Sequence, residues 1–169
     1  MNADVFADNL AFNEFTQEPE VINDFYLNGT LIPKGSIKPS FEDILSEYFE
    51  TELDVVFKPS AIAGALNIFW DTKKYNPVKD YMEHALEVWD GKERLKTVFN
   101  YWLGAEVNET TETIAKVFFT SAVAKVYEPL TKVDTVLDLV GGQGVGKTSF
   151  LSKIARGWYT SNAVSFTDK

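Results

Sequence analysis

Thr135-Val-Leu-Asp-Leu-Val140, running directly into Gly141-Gly142-Gln143-Gly144-Val145-Gly146-Lys147-Thr148, is the stretch on which the reading of this chain turns. Its second half fits G-x-x-x-x-G-K-[ST], a spacing in which glycines let successive backbone N–H groups curl inward around a phosphate. The first half is an apolar, β-branched run that predicts a strand. Lys147 to Arg156 is compatible with a helix, which Gly157 then stops. The start of that helix would add free amides and the positive end of its dipole, so an anion site is expected. The ligand class is a nucleoside triphosphate, taken as ATP with Mg2+. Gly141, Gly142, Gln143, Gly144, Val145, Gly146, Lys147, Thr148 and Ser149 are the candidate nucleotide-binding residues. Lys147 is the candidate catalytic group, a point charge for the β and γ phosphates, and the Thr148 hydroxyl is the candidate magnesium ligand. The competing reading is a glycine-rich turn between strand and helix, carrying an exposed lysine.

The rest of the chain bounds what such a loop can serve. Its 169 residues suffice for one good core or two small ones, and 45% hydrophobic with 14% aromatic content describes a globular protein. There is no cysteine, which excludes disulfides and thiolate metal sites. No run is long enough for a membrane span, and the N-terminus lacks the basic start of a signal peptide, so a cytoplasmic location and no membrane partner are expected. Residues 1–54 carry twelve acids against Lys34 and Lys38, a balance of −10, whereas residues 55–169 carry fourteen bases and thirteen acids, a balance of +1. General nucleic-acid binding is disfavoured by that acidity. Lys73, Lys74 and the Lys92-Glu-Arg94-Leu-Lys96 run remain as local basic candidates, although solvated helix faces explain them more simply.

Turn and cap signals divide what precedes the loop. Residues 1–39 read as short strands and turns, with Asn28-Gly29 and Pro33-Lys-Gly35 as turn signals. Helices follow: Phe41 to Thr51 behind a Ser40/Asp43 capping pattern, Ala61 to Trp70 capped by Ser60, and a helix opened by Asn76-Pro77 and running to about Trp89. Asp54 to Lys58 is expected as a short strand. Beyond Asp90-Gly91, Lys92 to Leu103 and Glu112 to Tyr127 are expected as two more helices, the latter opened by Asn108 to Thr111, buried on more than one side and ended by Pro129. The expected fold class is α+β: a mainly helical N-terminal module, then the truncated start (strand, P-loop, helix) of a P-loop α/β ATPase domain. The expected divisions are 1–39, 40–130 and 131–169.

Four segments, in order, resemble the virulence-associated E family of phage, plasmid and pathogenicity-island replication ATPases: Tyr75-Asn-Pro-Val-Lys-Asp-Tyr81, Trp89-Asp-Gly-Lys-Glu-Arg-Leu95, Tyr101-Trp-Leu-Gly-Ala-Glu106 and Ala122-Val-Ala-Lys-Val-Tyr-Glu-Pro129. Leu10-Ala-Phe-Asn-Glu-Phe15 resembles the family's upstream hairpin. The resemblance implies a helicase-like ATPase that forms a homo-oligomeric ring and acts on DNA in mobile-element replication. It also implies that Lys125 stands where relatives carry an arginine, which puts any bidentate guanidinium role in doubt. The acidic motif and arginine finger that complete hydrolysis have no counterpart in the 21 residues after Thr148, and Asp168 follows the helix too closely to serve. The chain alone is therefore expected to bind nucleotide and scarcely hydrolyse it. The alternative is a non-catalytic helical module for DNA or a protein partner, with a remnant loop. Trp89-Asp90-Gly91 reads first as a helix stop with a packed aromatic anchor, His84 as an ordinary helix residue, and Asp138 receives no catalytic role.

Overall fold

The computed structural model describes residues 4–160, which fall into two compact units divided between Glu87 and Val88. Each has its own small core, as the length allows.

In the first unit a short helix α1 (Asp4–Ala7) leads into β1 (Leu10–Asn13), which pairs antiparallel with β2 (Glu18–Val21) so that Leu10 faces Val21 and Asn13 faces Glu18. The buried Asn13 makes the turn between them, because its Oδ1 accepts from the N–H groups of Phe15 at 2.8 Å and Thr16 at 3.2 Å. Its amide donates to Glu20, and the Tyr75 hydroxyl donates to the same carboxylate. Burial and that carboxylate push the Tyr75 phenol above its usual range. The second hairpin, β3 (Phe25–Leu27) and β4 (Thr30–Ile32), turns at Asn28-Gly29 with φ of 46° and 75°. Positive φ at both central residues is what a two-residue turn needs to match the strand twist, and Asn-Gly is the pair that tolerates it. β5 (Gly35–Ser36) pairs with β2.

Two helices close this core. α2 (Phe41–Leu53) buries Phe41 and Leu45, and α3 (Pro59–Thr72) buries Ile62, against Leu10, Val21, Phe25, Leu27 and Ile32. Asp54 to Lys58 is not the expected strand. Asp54 enters the left-handed region at φ 54° and donates its N–H to Phe49 O, ending α2, and the chain then runs as a connector. Nor does Ser60 cap α3: Lys58 holds the cap position with Pro59 at the first helical residue, where a missing N–H costs nothing. β6 (Lys74–Tyr75) then returns parallel to β1, giving the sheet order β5-β2-β1-β6. Asn76 Oδ1 accepts from Val78 and Lys79 N–H to start α4 (Pro77–Glu87), two residues shorter than expected.

The second unit contains no strand among the described residues. Lys92 to Leu103, expected as one helix, is instead a 3-10 turn (Leu95–Thr97) followed by α5 (Val98–Leu103). Gly104, at φ 68°, stops α5 by donating to Asn100 O, and Ala105 donates to Phe99 O, the paired arrangement typical of glycine-ended helices. Asn108 opens α6 (Glu109–Tyr127) with a reciprocal capping box to Thr111. The expected burial of α6 on several sides is not found: Ala115 is its one buried residue, while Ile114, Val117 and Val123 are exposed. Phe99, Ala115 and the buried Phe150 of α7 (Lys147–Ala155) form the core, with the Phe99 ring centroid 5.9 Å from Phe150 and 6.3 Å from Phe119.

The division between the units falls inside the span expected as a single helical module, 40–130. Helices populate both sides of residue 87, so composition does not change there. Thr135 to Val140 also departs from expectation, since it belongs to no sheet and has no backbone hydrogen bond among the described residues. A strand is defined by a partner, and both sheets lie in the first unit. Burial nevertheless alternates along it: Leu137 and Leu139 are half-buried, while Val136, Asp138 and Val140 are exposed. That is the period-two signature of a strand.

Candidate functional site

The glycine-rich loop closes on itself around its own lysine. Lys147 Nζ donates to Gly141 O at 2.7 Å and to Gly142 O at 2.8 Å, so the ammonium sits inside the turn that the motif predicts for a phosphate. Gly144 and Gly146 have φ of 85° and 87°, a region that costs an L-residue roughly 1–2 kcal/mol. Gly146 is the residue from which α7 starts, and its carbonyl accepts the first bond of that helix from Phe150 N–H at 2.8 Å. The N–H groups of Lys147, Thr148 and Ser149 have no partner among the described residues. Three amides, one ammonium and the positive end of a nine-residue helix thus meet at one place.

Gly141 and Gly142 behave differently from the other two glycines. Neither has positive φ, and a Cβ on either would meet only ordinary contacts, the nearest at 3.7 Å from Val145 Cγ2. Gly146→Ala and Gly144→Ala are therefore expected to destabilise the second unit by about 1–2 kcal/mol each, while Gly142→Ala leaves stability within about 0.5 kcal/mol. Chemical denaturation of the three variants measures this. Gln143 and Val145 are exposed loop residues, the Thr148 and Ser149 side chains are exposed, and the Ser149 carbonyl accepts from Ser152 Oγ.

Beside Lys147 lies a cavity of about 290 Å³ whose walls include Leu103, Ala105, Ile114, Leu137, Asp138 and Val140. Its lining is mostly apolar, with the Asp138 carboxylate at an exposed edge. No group of three or more His, Asp or Glu side chains that could hold a metal is present among the described residues. Magnesium here would be held by the Thr148 hydroxyl together with the oxygens of a bound phosphate.

Other residues singled out in the sequence have structural employment. Lys125 Nζ donates to Pro129 O at 3.1 Å, fastening the chain where it leaves α6, a suitable place for a cation at a helix C-terminus. His84 is exposed and lies 3.6 Å from Glu87. Lys74 pairs with Asp71 at 3.4 Å. Asp168 lies outside the described residues. The Trp89-Asp90-Gly91 turn does not pack as an aromatic anchor: Trp89 is exposed and donates its indole N–H to Lys92 O at 3.2 Å. Arg94 clasps both Asp90 oxygens at 2.7 and 2.6 Å, and this guanidinium, with the Lys92 N–H, lowers the Asp90 carboxyl to about 2. Tyr101 and Trp102, to which the sequence pattern assigns no role, are both exposed on α5; two aromatics in succession on a short helix are the signal that marks them.

Mixed helices and sheets in two units make this an α+β protein, the coarse class expected. The chain belongs to the virulence-associated protein E-like family, whose domain matches residues 82–169, just over half of its length, including the whole second unit and the loop. Three of the resembling segments, those beginning at Trp89, Tyr101 and Ala122, lie within the match; Leu10–Phe15 and Tyr75–Tyr81 lie outside it. No curated protein matches the chain. Among the described residues no helix is long and apolar enough to cross a membrane.

Proposed function

We propose that the second unit is the nucleotide-binding start of a helicase-like ATPase of mobile-element replication, taking ATP with Mg2+ at Gly141–Ser149. The observation that carries this reading is the ammonium of Lys147 turned into its own loop, which runs into three free amides at the head of α7. A glycine turn with a merely exposed lysine would leave Nζ in solvent. An incoming triphosphate would draw Lys147 from the Gly141 and Gly142 carbonyls onto its β and γ oxygens, exchanging neutral acceptors for charged ones. The free amides would take the remaining phosphate oxygens, and the adjoining cavity has room for part of the nucleoside.

Family membership supports the setting, a protein of a mobile genetic element, with DNA as the polymer and a homo-oligomeric ring as the working state. Binding is the property assigned to this chain, since the supporting observations are the Lys147 ammonium and the free amides of the loop.

Calorimetric titration of ATP, with and without magnesium, tests the proposal. Binding is expected in both conditions and tighter with the metal. Thr148→Ala is expected to erase most of the magnesium enhancement while leaving metal-free affinity within about twofold, because its hydroxyl is a ligand of the ion rather than of the phosphate. Equal loss in both conditions would remove Thr148 from the metal.

A further inference from the structure

Around α5 the second unit carries a surface that nucleotide binding does not use. Tyr101 is 77% exposed and Trp102 59%, and together with Arg94, Thr97 and Val98 they line a cleft of about 430 Å³. Trp89, 57% exposed, lies on the loop that supplies Arg94. We propose that this cleft binds single-stranded nucleic acid by stacking bases on Tyr101 and Trp102, with Arg94 as the cationic wall.

The chemistry of the surface selects that occupant. The groove along α6 is lined by Ile114, Val117, Phe118 and Val136, with no charged group, as a surface for another protein segment would be. The α5 cleft instead offers two polar-tipped aromatic rings and a guanidinium, groups that accept any base by its π face and a phosphate by its charge. Tyr101 and Trp102 stand 5.1 Å apart at 83°, so one base can lie on one ring and meet the edge of the other. The cationic wall is fixed in advance. Asp90 holds both Arg94 nitrogens, and the Lys92 carbonyl accepts from Arg94 at 3.4 Å as well as from Trp89. Such a site loses little side-chain freedom on binding.

Charge sets how the site should respond to salt. Residues 88–103 carry Lys92, Arg94 and Lys96 against Asp90 and Glu93, a balance of +1 in a chain of −9. These cations are already partnered: Lys92 lies 4.0 Å from Asp90, and Lys96 lies 3.7 Å from both Glu93 and Glu112. Few phosphates can be neutralised, so stacking must dominate and salt dependence must be shallow.

The choice of DNA as polymer rests on the proposed function, but the site does not need nucleotide, so its test omits ATP and can fail independently. Fluorescence anisotropy of a labelled oligothymidine of about 20 nucleotides is measured with the full chain between about 50 and 200 mM salt. Single strand is expected to bind more tightly than the same length of duplex, with a log–log salt slope of about −1 to −2. Tyr101→Ala and Trp102→Ala should each weaken binding roughly 5- to 150-fold, and Trp102→Phe, which keeps a ring, should retain most of it. Unchanged affinity in both alanine variants, preference for duplex, or no binding at the lowest salt would overturn the proposal. So would an oligomer that Trp102→Ala turns into monomer without altering oligonucleotide affinity, since the cleft would then serve a second copy of the chain.

Discussion

Lys147→Ala is expected to weaken ATP binding by on the order of 10²- to 10⁴-fold while leaving the melting temperature of the chain almost unmoved. Hydrogen bonds to charged groups contribute about 1.5–3 kcal/mol each, and the substitution removes two that the ammonium would make to the β and γ phosphates. In the free protein the same ammonium bonds two carbonyls in an exposed loop, where water replaces it readily, so stability changes by less than about 0.5–1 kcal/mol. Affinity and stability are therefore decoupled at this residue. Lys147→Arg should fall between wild type and alanine, because a planar guanidinium keeps the charge but does not fit a turn closed around a compact ammonium. Calorimetry beside thermal melting reads both quantities. Nucleotide binding that survives Lys147→Ala would place the ligand elsewhere on the chain.

Local chemistry is what the sequence made readable. Asn28-Gly29 and Asn76-Pro77 each dictate a backbone event within three or four residues, and the structure has a turn at the first and a helix start at the second. The loop is legible for the same reason, since Gly144 and Gly146 sit at φ of 85° and 87°, a region that glycine enters without the strain of a Cβ. Pairing across distance is not legible. β1 meets β6 through Phe12 and Lys74, more than sixty residues apart, and no spacing announces it. The Thr135–Val140 run has strand periodicity in its burial yet no ladder, because a ladder is a property of two segments and only one of them was read. The average behaviour of tryptophan predicts a packed anchor at Trp89, whereas here the Asp90–Arg94 clasp builds a turn that leaves the ring in solvent.

Phe99→Ala should have the largest effect on the scaffold beneath the loop. Phe99 is buried between α6 and α7, with Phe119 and Phe150 as its ring neighbours, and truncating such a residue costs about 3–5 kcal/mol through lost transfer energy and the cavity left behind. Against a typical total of roughly 5–15 kcal/mol this would bring the second unit close to unfolding near body temperature. The consequence reaches the nucleotide because Phe150 lies three residues after Lys147 on the same helix and contributes its ring to that core. Loosening the seat of Phe150 displaces the amides at the head of α7, so affinity for ATP should fall together with stability. Phe99→Leu, which refills much of the space, should cost about 1–2 kcal/mol and recover most of the affinity. That joint movement separates Phe99 from Lys147, whose loss changes affinity alone. Urea denaturation and calorimetry on the two Phe99 variants decide it: a fall in stability without any fall in affinity would mean that the loop holds its shape through its own glycines and not through the aromatic core under α7.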